Sequence, residues 1–229
     1  MRRFPFRTFM AVVALHLLFV SACGPRVSSG GMTSGDWGGP RDAAWAQPVE
    51  VQGVPNLHRV TGDLYRSAQP TAQGMQHLEK FGIRTIINLR SFHSDADEIA
   101  ETQLDYVHIP MHAWHPEEED IIEFLRVTTN EDRGPVLVHC NYGADRTGFM
   151  CALYRIVVCG WSKEKALAEM VGGGFGFHSM WRNLAEYIER IDIDALHRKA
   201  GLTRGSSGKH VSRRNAAVAC MTDTGGLRQ

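Results

Sequence analysis

Pro135-Val136-Leu137-Val138-His139-Cys140-Asn141-Tyr142-Gly143-Ala144-Asp145-Arg146-Thr147-Gly148 is the stretch on which the reading of this chain turns. Its first five residues carry the apolar run Val136-Leu137-Val138, short enough for a buried central strand. From Thr147 to Val158 the apolar pattern recurs at helical spacing. The five residues between Cys140 and Arg146 therefore form a strand-to-helix loop. Such a loop curls so that successive backbone N–H groups point inward and cradle an oxyanion. Gly143 permits a backbone angle there that a side chain forbids. The same N–H groups and the helix N-terminus stabilise a thiolate at Cys140, which arms it as a nucleophile. Arg146 offers a planar fork matched to two oxygens of a tetrahedral anion. The Thr147 hydroxyl can donate to the sulfur when it leaves. Asn141, Tyr142, Gly143 and Ala144, with His139 and Thr147 at the two ends, make up the expected substrate-binding set, and His139 is expected to order the loop through hydrogen bonds.

Outward from this loop, strand-like and helix-like segments alternate. Leu64-Tyr65-Arg66-Ser67 reads as a short strand. Thr71 caps a helical stretch with Met75, Leu78 and Phe81 on one face, stopped by Gly82. Arg84 to Leu89 and Leu104 to Ile109 are further strands. Pro116 opens a helix whose first turn carries Glu117, Glu118, Glu119 and Asp120, where the macrodipole favours acids. Its expected buried face is Ile121, Ile122, Leu125 and Thr128. After the loop everything reads as helical: Thr147 to Val158, Ser162 to Met170, and Ser179 to about Ala200. This alternation predicts an α/β fold, a small and mostly parallel central sheet flanked by helices with a helical C-terminal part. Sites in such sheets form beyond the C-terminal strand ends, where the segment after His139 lies.

The stretch His139 to Thr147 resembles the His-Cys-x5-Arg-Ser/Thr signature loop of the protein tyrosine phosphatase superfamily, and of its dual-specificity branch in particular. Leu64-Tyr65-Arg66-Ser67-Ala68-Gln69-Pro70 is similar to the Tyr-Arg-Ser-x-x-Pro motif of the compact dual-specificity-like group of bacteria, fungi and plants. The resemblance covers about Leu57 to Ala200. It implies a cysteine-phosphatase-like fold, a cysteinyl-phosphate intermediate on Cys140, Arg146 as the phosphate clamp, no metal or other cofactor, and a phosphomonoester substrate. The runner-up is a phosphate-binding module with weak or lost turnover. Sulfur transfer on a similar loop, as in rhodaneses, fits the Arg146-Thr147-Gly148 exit less well.

Two departures from the family pattern matter. Members carry a general-acid aspartate about thirty residues before the cysteine, but Pro110-Met111-His112-Ala113-Trp114-His115 contains no carboxylate. Asp145, inside the loop, resembles the in-loop aspartate of myotubularin-type phosphatases and is the candidate acid. The acids from Glu117 to Asp120 are the alternative, with helix-end charge as their plainer reading. Related lipid and inositol phosphatases often place lysine where this chain has Ala144, which weakens a polyphosphorylated substrate. Arg66 and Ser67 either line the pocket or end a strand with a solvated arginine. Gly172-Gly173-Gly174-Phe175-Gly176-Phe177-His178 is either a pocket wall or a connector. His108, His112 and His115 lack a Cys or carboxylate to complete a ligand set, so no metal site is expected.

The formal net charge of zero hides an asymmetry. Residues 49–200 hold 15 Lys and Arg against 22 Asp and Glu, while residues 201–229 hold five basic residues against Asp223 alone. An acidic body is a poor platform for nucleic acid, so none is expected as a partner. Arg2, Arg3 and Arg7 precede an apolar run from Phe9 to Val20, too short to span a bilayer, in the layout of a secretory signal peptide. It runs into Val20-Ser21-Ala22-Cys23, which resembles the bacterial lipobox. That resemblance implies cleavage before Cys23, lipid attachment to its thiol, a membrane anchor, and a place in the bacterial cell envelope facing the periplasm. The expected organisation is a signal peptide over 1–22, a flexible Gly/Ser/Pro-rich tether over 23–48, the phosphatase domain over 49–200 and a basic disordered tail over 201–229. Cys140, Cys151, Cys159 and Cys220 are an even set for an oxidising compartment. Core packing is the default expectation for Cys151 and Cys159, which sit on an apolar helical pattern.

Overall fold

The chain enters the sheet through two very short strands, β1 (Gln47–Pro48) and β2 (His58–Arg59), in a computed structural model that describes residues 41–202 and Cys220. β3 (Leu64–Ser67) leads to α1 (Ala72–Phe81), and β4 (Thr85–Asn88) follows. A single turn, α2 (Ala96–Ile99), precedes β5 (Asp105–His108), and α3 (Glu118–Thr128) leads to β6 (Val136–His139). Then come α4 (Asp145–Val157), α5 (Lys163–Gly172), a 3-10 turn (Ser179–Trp181), α6 (Arg182–Arg190) and α7 (Ile193–Lys199). The sheet order is β1-β2-β3-β6-β4-β5. β3, β6, β4 and β5 run parallel, while β1 and β2 add an antiparallel edge. The predicted mostly parallel α/β fold is the one observed. Among the described residues no helix is long and apolar enough to cross a membrane.

β6 is central because it is buried on both faces, as the unbroken apolar run requires. Alternation sorts its side chains by face. Leu137 joins Ile86, Met75, Leu78 and Leu104 under α1, whereas Val136 and Val138 join Ile87 and the α3–α4 side. α1 ends as its sequence requires: Thr71 accepts from Gly74 N at 3.0 Å, and Gly82 takes the left-handed conformation at φ 106°. α4 is buried on nearly every side, with Phe149, Met150, Cys151, Ala152, Leu153 and Tyr154 all in the core. A helix so enclosed is held by what surrounds it, and its first turn carries Arg146.

Several expectations shift. Pro116 lies ahead of α3, whose cap position is Glu117. The buried stripe of α3 is Ile121, Phe124, Leu125 and Thr128, with Ile122 half-buried. Spacings of three and four residues keep these four on one face, and Ile122, three before Leu125 but next to Ile121, lies at its edge. The C-terminal helical stretch breaks at Ile191, after which the Asp192 side chain caps α7 by accepting from Ala195 N. Cys151 is a buried free thiol, pushed up to about 11 by burial. Cys159 is not a core thiol; it forms a disulfide with Cys220.

A few residues placed in the two expected tails take part in the described domain. Residues 41–48 belong to the domain, with Ala46 fully buried and β1 paired to β2. The anchor is a buried ion pair. Arg155 Nε donates to Glu169 Oε2 at 2.9 Å and Arg155 Nη2 to Glu169 Oε1 at 3.0 Å. The same pair binds the incoming backbone: Ala46 N donates to Glu169 Oε1 at 2.6 Å, and Arg155 Nη2 donates to Ala44 O at 3.1 Å. Arg41 adds a bond to Ala46 O. At the other end Leu202 packs on the core and Cys220 is covalently tied to α4's end. Cys23, the signal peptide expected over 1–22, and the rest of the expected tether and tail lie outside the described residues.

Removing one partner of a buried, bonded ion pair leaves a charge without compensation, at a cost of about 3–5 kcal/mol. Glu169→Ala is therefore expected to lower the urea midpoint by that equivalent. A double Arg155→Met/Glu169→Met variant is expected to recover much of the loss.

Candidate active site

Four consecutive carbonyls of the loop after β6 are tied down from outside the cleft. Gln69 N donates to Asn141 O at 3.2 Å, and Asn56 Nδ2 to Tyr142 O at 3.1 Å. Arg66 Nη2 donates to Gly143 O at 2.8 Å and reaches Ala144 O at 3.5 Å. In a trans peptide the C=O and the following N–H point opposite ways. Anchoring these carbonyls on the protein side therefore turns the N–H groups of residues 142–145 toward the other side, the cradle the sequence predicts. Gly143 sits at φ 68°, and a Cβ there would lie 2.5 Å from backbone atoms of Ser67 and Ala68. It is needed for its backbone angle and also for a close approach to the end of β3.

Arg66 is neither pocket lining nor a solvated strand end. It is 1% exposed beneath the loop, with its guanidinium carbon 3.7 Å from the centroid of the Phe175 ring. The Gly-rich segment is thus part of the site's foundation: Phe175 lies under Arg66, and Asn56 Nδ2 also holds Phe175 O at 3.1 Å.

A second support fixes His139. Its Nε2 lies 2.7 Å from Asp95 Oδ2, within a network sealed from solvent. Asp95 Oδ1 also accepts from Gln69 Nε2 at 2.9 Å and Asn88 Nδ2 at 3.1 Å. Burial pushes the Asp95 carboxyl up, but hydrogen bonds from His139 and Gln69 and the charge of His139 outweigh it, holding it below its ordinary value. One carboxylate thereby joins the C-terminal ends of β3, β4 and β6. His139 Nδ1 also lies 3.3 Å from Cys140 O; its partner Asp95 carries no signal in the sequence, because nothing in the spacing of 44 residues links the two.

The loop opens into a cleft of about 510 Å³ lined by Cys140, Asn141, Tyr142, Asp145 and Arg146. Arg90, Ala113, Trp114 and His178 are among the residues that close it. Arg146 Nη1 donates to Leu89 O at 3.0 Å and Met111 O at 3.4 Å, which fixes one edge of the fork. Phe92, Trp114 and Tyr142 stand exposed around the opening. Thr147 Oγ1 is buried without a hydrogen-bond partner. A hydroxyl in that state keeps its donor free for a group that acquires charge.

Of the two acid candidates only Asp145 lines the cleft; Glu117, Glu118, Glu119 and Asp120 do not. Asp145 arrives with a companion that sequence reasoning did not single out. Its Oδ1 accepts from His178 N at 2.8 Å, and its Oδ2 lies 2.9 Å from His178 Nδ1. His108, His112 and His115 do not converge: His108 Nε2 bonds Arg90 O and His112 stacks on Trp114. Among the described residues the one group with metal-ligand proximity is His93, Asp95 and Glu98. Asp95 there is already committed to His139, Gln69 and Asn88.

Comparison with known proteins agrees with this geometry. A family model described as "DSP-PTPase phosphatase fused to NAD+ Kinase" matches residues 48–183. The chain belongs to this DSP-PTPase family. It is a phosphatase with the cysteine-dependent, dual-specificity-like architecture. It is 37% identical over 185 residues to dual specificity protein phosphatase TpbA of Pseudomonas aeruginosa strain UCBPP-PA14, covering 80% of this chain and 83% of that one. A crystal structure of P. aeruginosa TpbA superposes with a TM-score of 0.62 at 36% identity, over 69% of this chain and 97% of that one. A cysteine-to-serine form of TpbA in complex with pTyr gives 0.64 at 34% identity, over 72% and 100%. The catalytic core of the S. cerevisiae PP-IP phosphatase SIW14, at 22% identity and TM-score 0.58 over 67% and 95%, shares the DSP-PTPase fold.

Two variants test the supports of this DSP-PTPase loop. Gly143→Ala forces a left-handed alanine, costing about 1–2 kcal/mol, and pushes the loop off β3. Activity is expected to fall far more than stability, in parallel kinetic and melting measurements. Asp95→Asn is expected to cost about 1–3 kcal/mol near neutrality by weakening a buried charged acceptor. Because the folded carboxyl of Asp95 is held below its ordinary value, its contribution is fully present above about pH 4 and lost as pH falls through the folded value. The wild type should therefore lose stability more steeply than the variant in acid titrations of the urea midpoint.

Proposed function

We propose that Cys140 is the nucleophile and Arg146 the phosphate clamp of a tyrosine-type, dual-specificity-like phosphatase acting on aryl phosphomonoesters, phosphotyrosine in proteins foremost. The observation that carries this reading is the loop itself, with four carbonyls anchored outward and its N–H groups left for an anion beside Cys140 and Arg146. The thiolate attacks phosphorus while the ester bond to the leaving oxygen breaks, giving a cysteinyl phosphate. The N–H groups and the Arg146 fork stabilise the charge spread over the three equatorial oxygens. Water then attacks the same phosphorus, the Cys140 sulfur leaves, and the unpartnered Thr147 hydroxyl donates to it.

The rim supports an aromatic ester over a polyphosphorylated sugar. Phe92, Trp114 and Tyr142 offer flat apolar faces, whereas Ala144 supplies no cation. A binding module without turnover would follow from the absence of a carboxylate at 110–115, whereas here Asp145 lines the cleft.

The location belongs to the same proposal: a lipoprotein of the bacterial envelope, anchored through Cys23 and facing the periplasm. The leader from Arg2 to Cys23 supports it, as does the Cys159–Cys220 disulfide, which suits an oxidising compartment.

Cys140→Ser is expected to keep the fold and bind a phosphotyrosine peptide while turnover drops to background; retained turnover would overthrow the nucleophile assignment. Arg146→Lys is expected to cost at least about 10²-fold in kcat, because an ammonium cannot reproduce the bidentate fork. For the anchor, intact-mass analysis of protein from the membrane fraction should show a chain beginning at an acylated Cys23. An unmodified Cys23 in freely soluble protein would refute it.

A further inference from the structure

The proton for the leaving group has no obvious source in this cleft. Residues 110–115 hold no carboxylate, and the acids that open α3 lie outside it. Asp145 is the one carboxylate that lines the cleft, but it is 7% exposed and its oxygens are already engaged. Oδ1 accepts from the His178 backbone N–H, and His178 Nδ1 lies 2.9 Å from Oδ2 and 3.2 Å from Oδ1. Both carboxylate oxygens are thus turned to the His178 backbone and ring, and the ring is held with Nδ1 toward them.

The imidazole is well placed to deliver a proton into the cleft. With Nδ1 directed at Asp145, Nε2 is the remaining donor, and it makes no hydrogen bond among the described residues. The His178 side chain is half-exposed and lines the cleft together with Cys140 and Arg146. Its direct neighbours are Asp145 from α4 and Tyr142 from the loop at a ring distance of 6.0 Å, and the other titratable groups lining the same cleft are Arg90, His93, Cys140 and Arg146. Its segment is held rather than loose. Gly174 and Gly176 take left-handed angles of 80° and 86° on either side of Phe175, which is pinned under Arg66 and by Asn56.

We infer that His178 is the general acid of this phosphatase and that Asp145 is its positioning residue. The inference rests on the proposed chemistry at Cys140. As the bond between phosphorus and the ester oxygen breaks, the Nε2 proton passes to that oxygen, the alcohol departs neutral, and His178 is left as neutral imidazole. In the second step Nε2 takes a proton from the attacking water while the Cys140 thiolate leaves, which restores the imidazolium and the starting charge. A pair with one member oriented and charge-stabilised by the other acts as a unit in acid–base catalysis.

The test compares the full chain and its His178→Gln, Asp145→Asn and double variants on two substrates. A phosphotyrosine peptide has a phenol leaving group of ordinary pKa about 10 and needs the proton, whereas 2,4-dinitrophenyl phosphate does not. His178→Gln is expected to lower kcat on the peptide by about 10²–10³-fold and to leave the dinitrophenyl ester within about threefold. Asp145→Asn, which still accepts the His178 backbone N–H, should lose less on the peptide. The double variant should be no worse than His178→Gln. A severe Asp145→Asn with a mild His178→Gln would make the carboxylate itself the acid. Equal losses on both substrates would reduce the pair to a structural strut. Either result overturns the inference while leaving Cys140 untouched, whereas turnover by Cys140→Ser would remove the mechanism on which it rests.

Discussion

A buried arginine beneath the phosphate loop holds the site together. Arg66 sits at the end of β3 and sends its guanidinium under the turn, where it binds the carbonyls of Gly143 and Ala144. Removing such a charge from water costs several kcal/mol unless it is compensated. Burial lowers Arg66 from its ordinary value, yet a guanidinium does not deprotonate in a protein. The compensation is therefore structural: two carbonyls on one side and the face of Phe175 at 3.7 Å on the other. Both partners are thereby fixed relative to β3, so one cation sets the aim of the N–H cradle and the position of the Gly-rich segment.

The sheet supplies the reference frame for this. β3 and β6 run side by side in parallel, with Arg66 opposite Val138 and Ser67 opposite His139. Their C-terminal ends consequently finish together, and the loop from β6 falls directly over the side chain from β3. Asp95 performs the equivalent task on the other flank. It binds Gln69 beyond β3, Asn88 at the end of β4 and His139 at the end of β6. Parallel strands bring their ends to one edge, and two buried ions of opposite sign, Arg66 and Asp95, turn that edge into a fixed template.

What the sequence shows and what it hides separate along a physical line. Local regularities are readable: the strand from Val136 to His139, the Thr71 cap, the stop at Gly82, and the loop from Cys140 to Arg146. Each depends on neighbours within a few positions. The partners that make the loop competent come from elsewhere in the chain, Asp95 for His139 and His178 for Asp145. Neither carries a local signal, because a buried acid on an irregular loop resembles any polar turn residue. The Arg41–Pro48 segment shows the same limit in reverse. It carries no apolar periodicity that marks a strand or helix, yet Glu169 and Arg155, more than a hundred residues away, hold its backbone. Cys159 follows a helical apolar pattern and still pairs with Cys220, since periodicity says nothing about a partner 61 positions away.

A proton donor seated inside the phosphate loop's own support has consequences that a donor on a separate mobile loop lacks. Asp145 is the first residue of α4 and shares its turn with Arg146. His178 hangs from a segment pinned to Arg66 through Phe175. Cys140, Arg146 and the Asp145–His178 pair are thus all referred to the same two strand ends. Preorganisation of this kind lowers the reorganisation that accompanies the chemical step. The same arrangement limits how far the donor can follow leaving groups of different size. A fixed imidazole at the wall of an aromatic-rimmed cleft suits an ester oxygen whose place is set by a flat ring packed against Trp114 or Tyr142. A flexible alkyl ester lacks that constraint, so the position of the donor and the aromatic rim select for the same class of substrate.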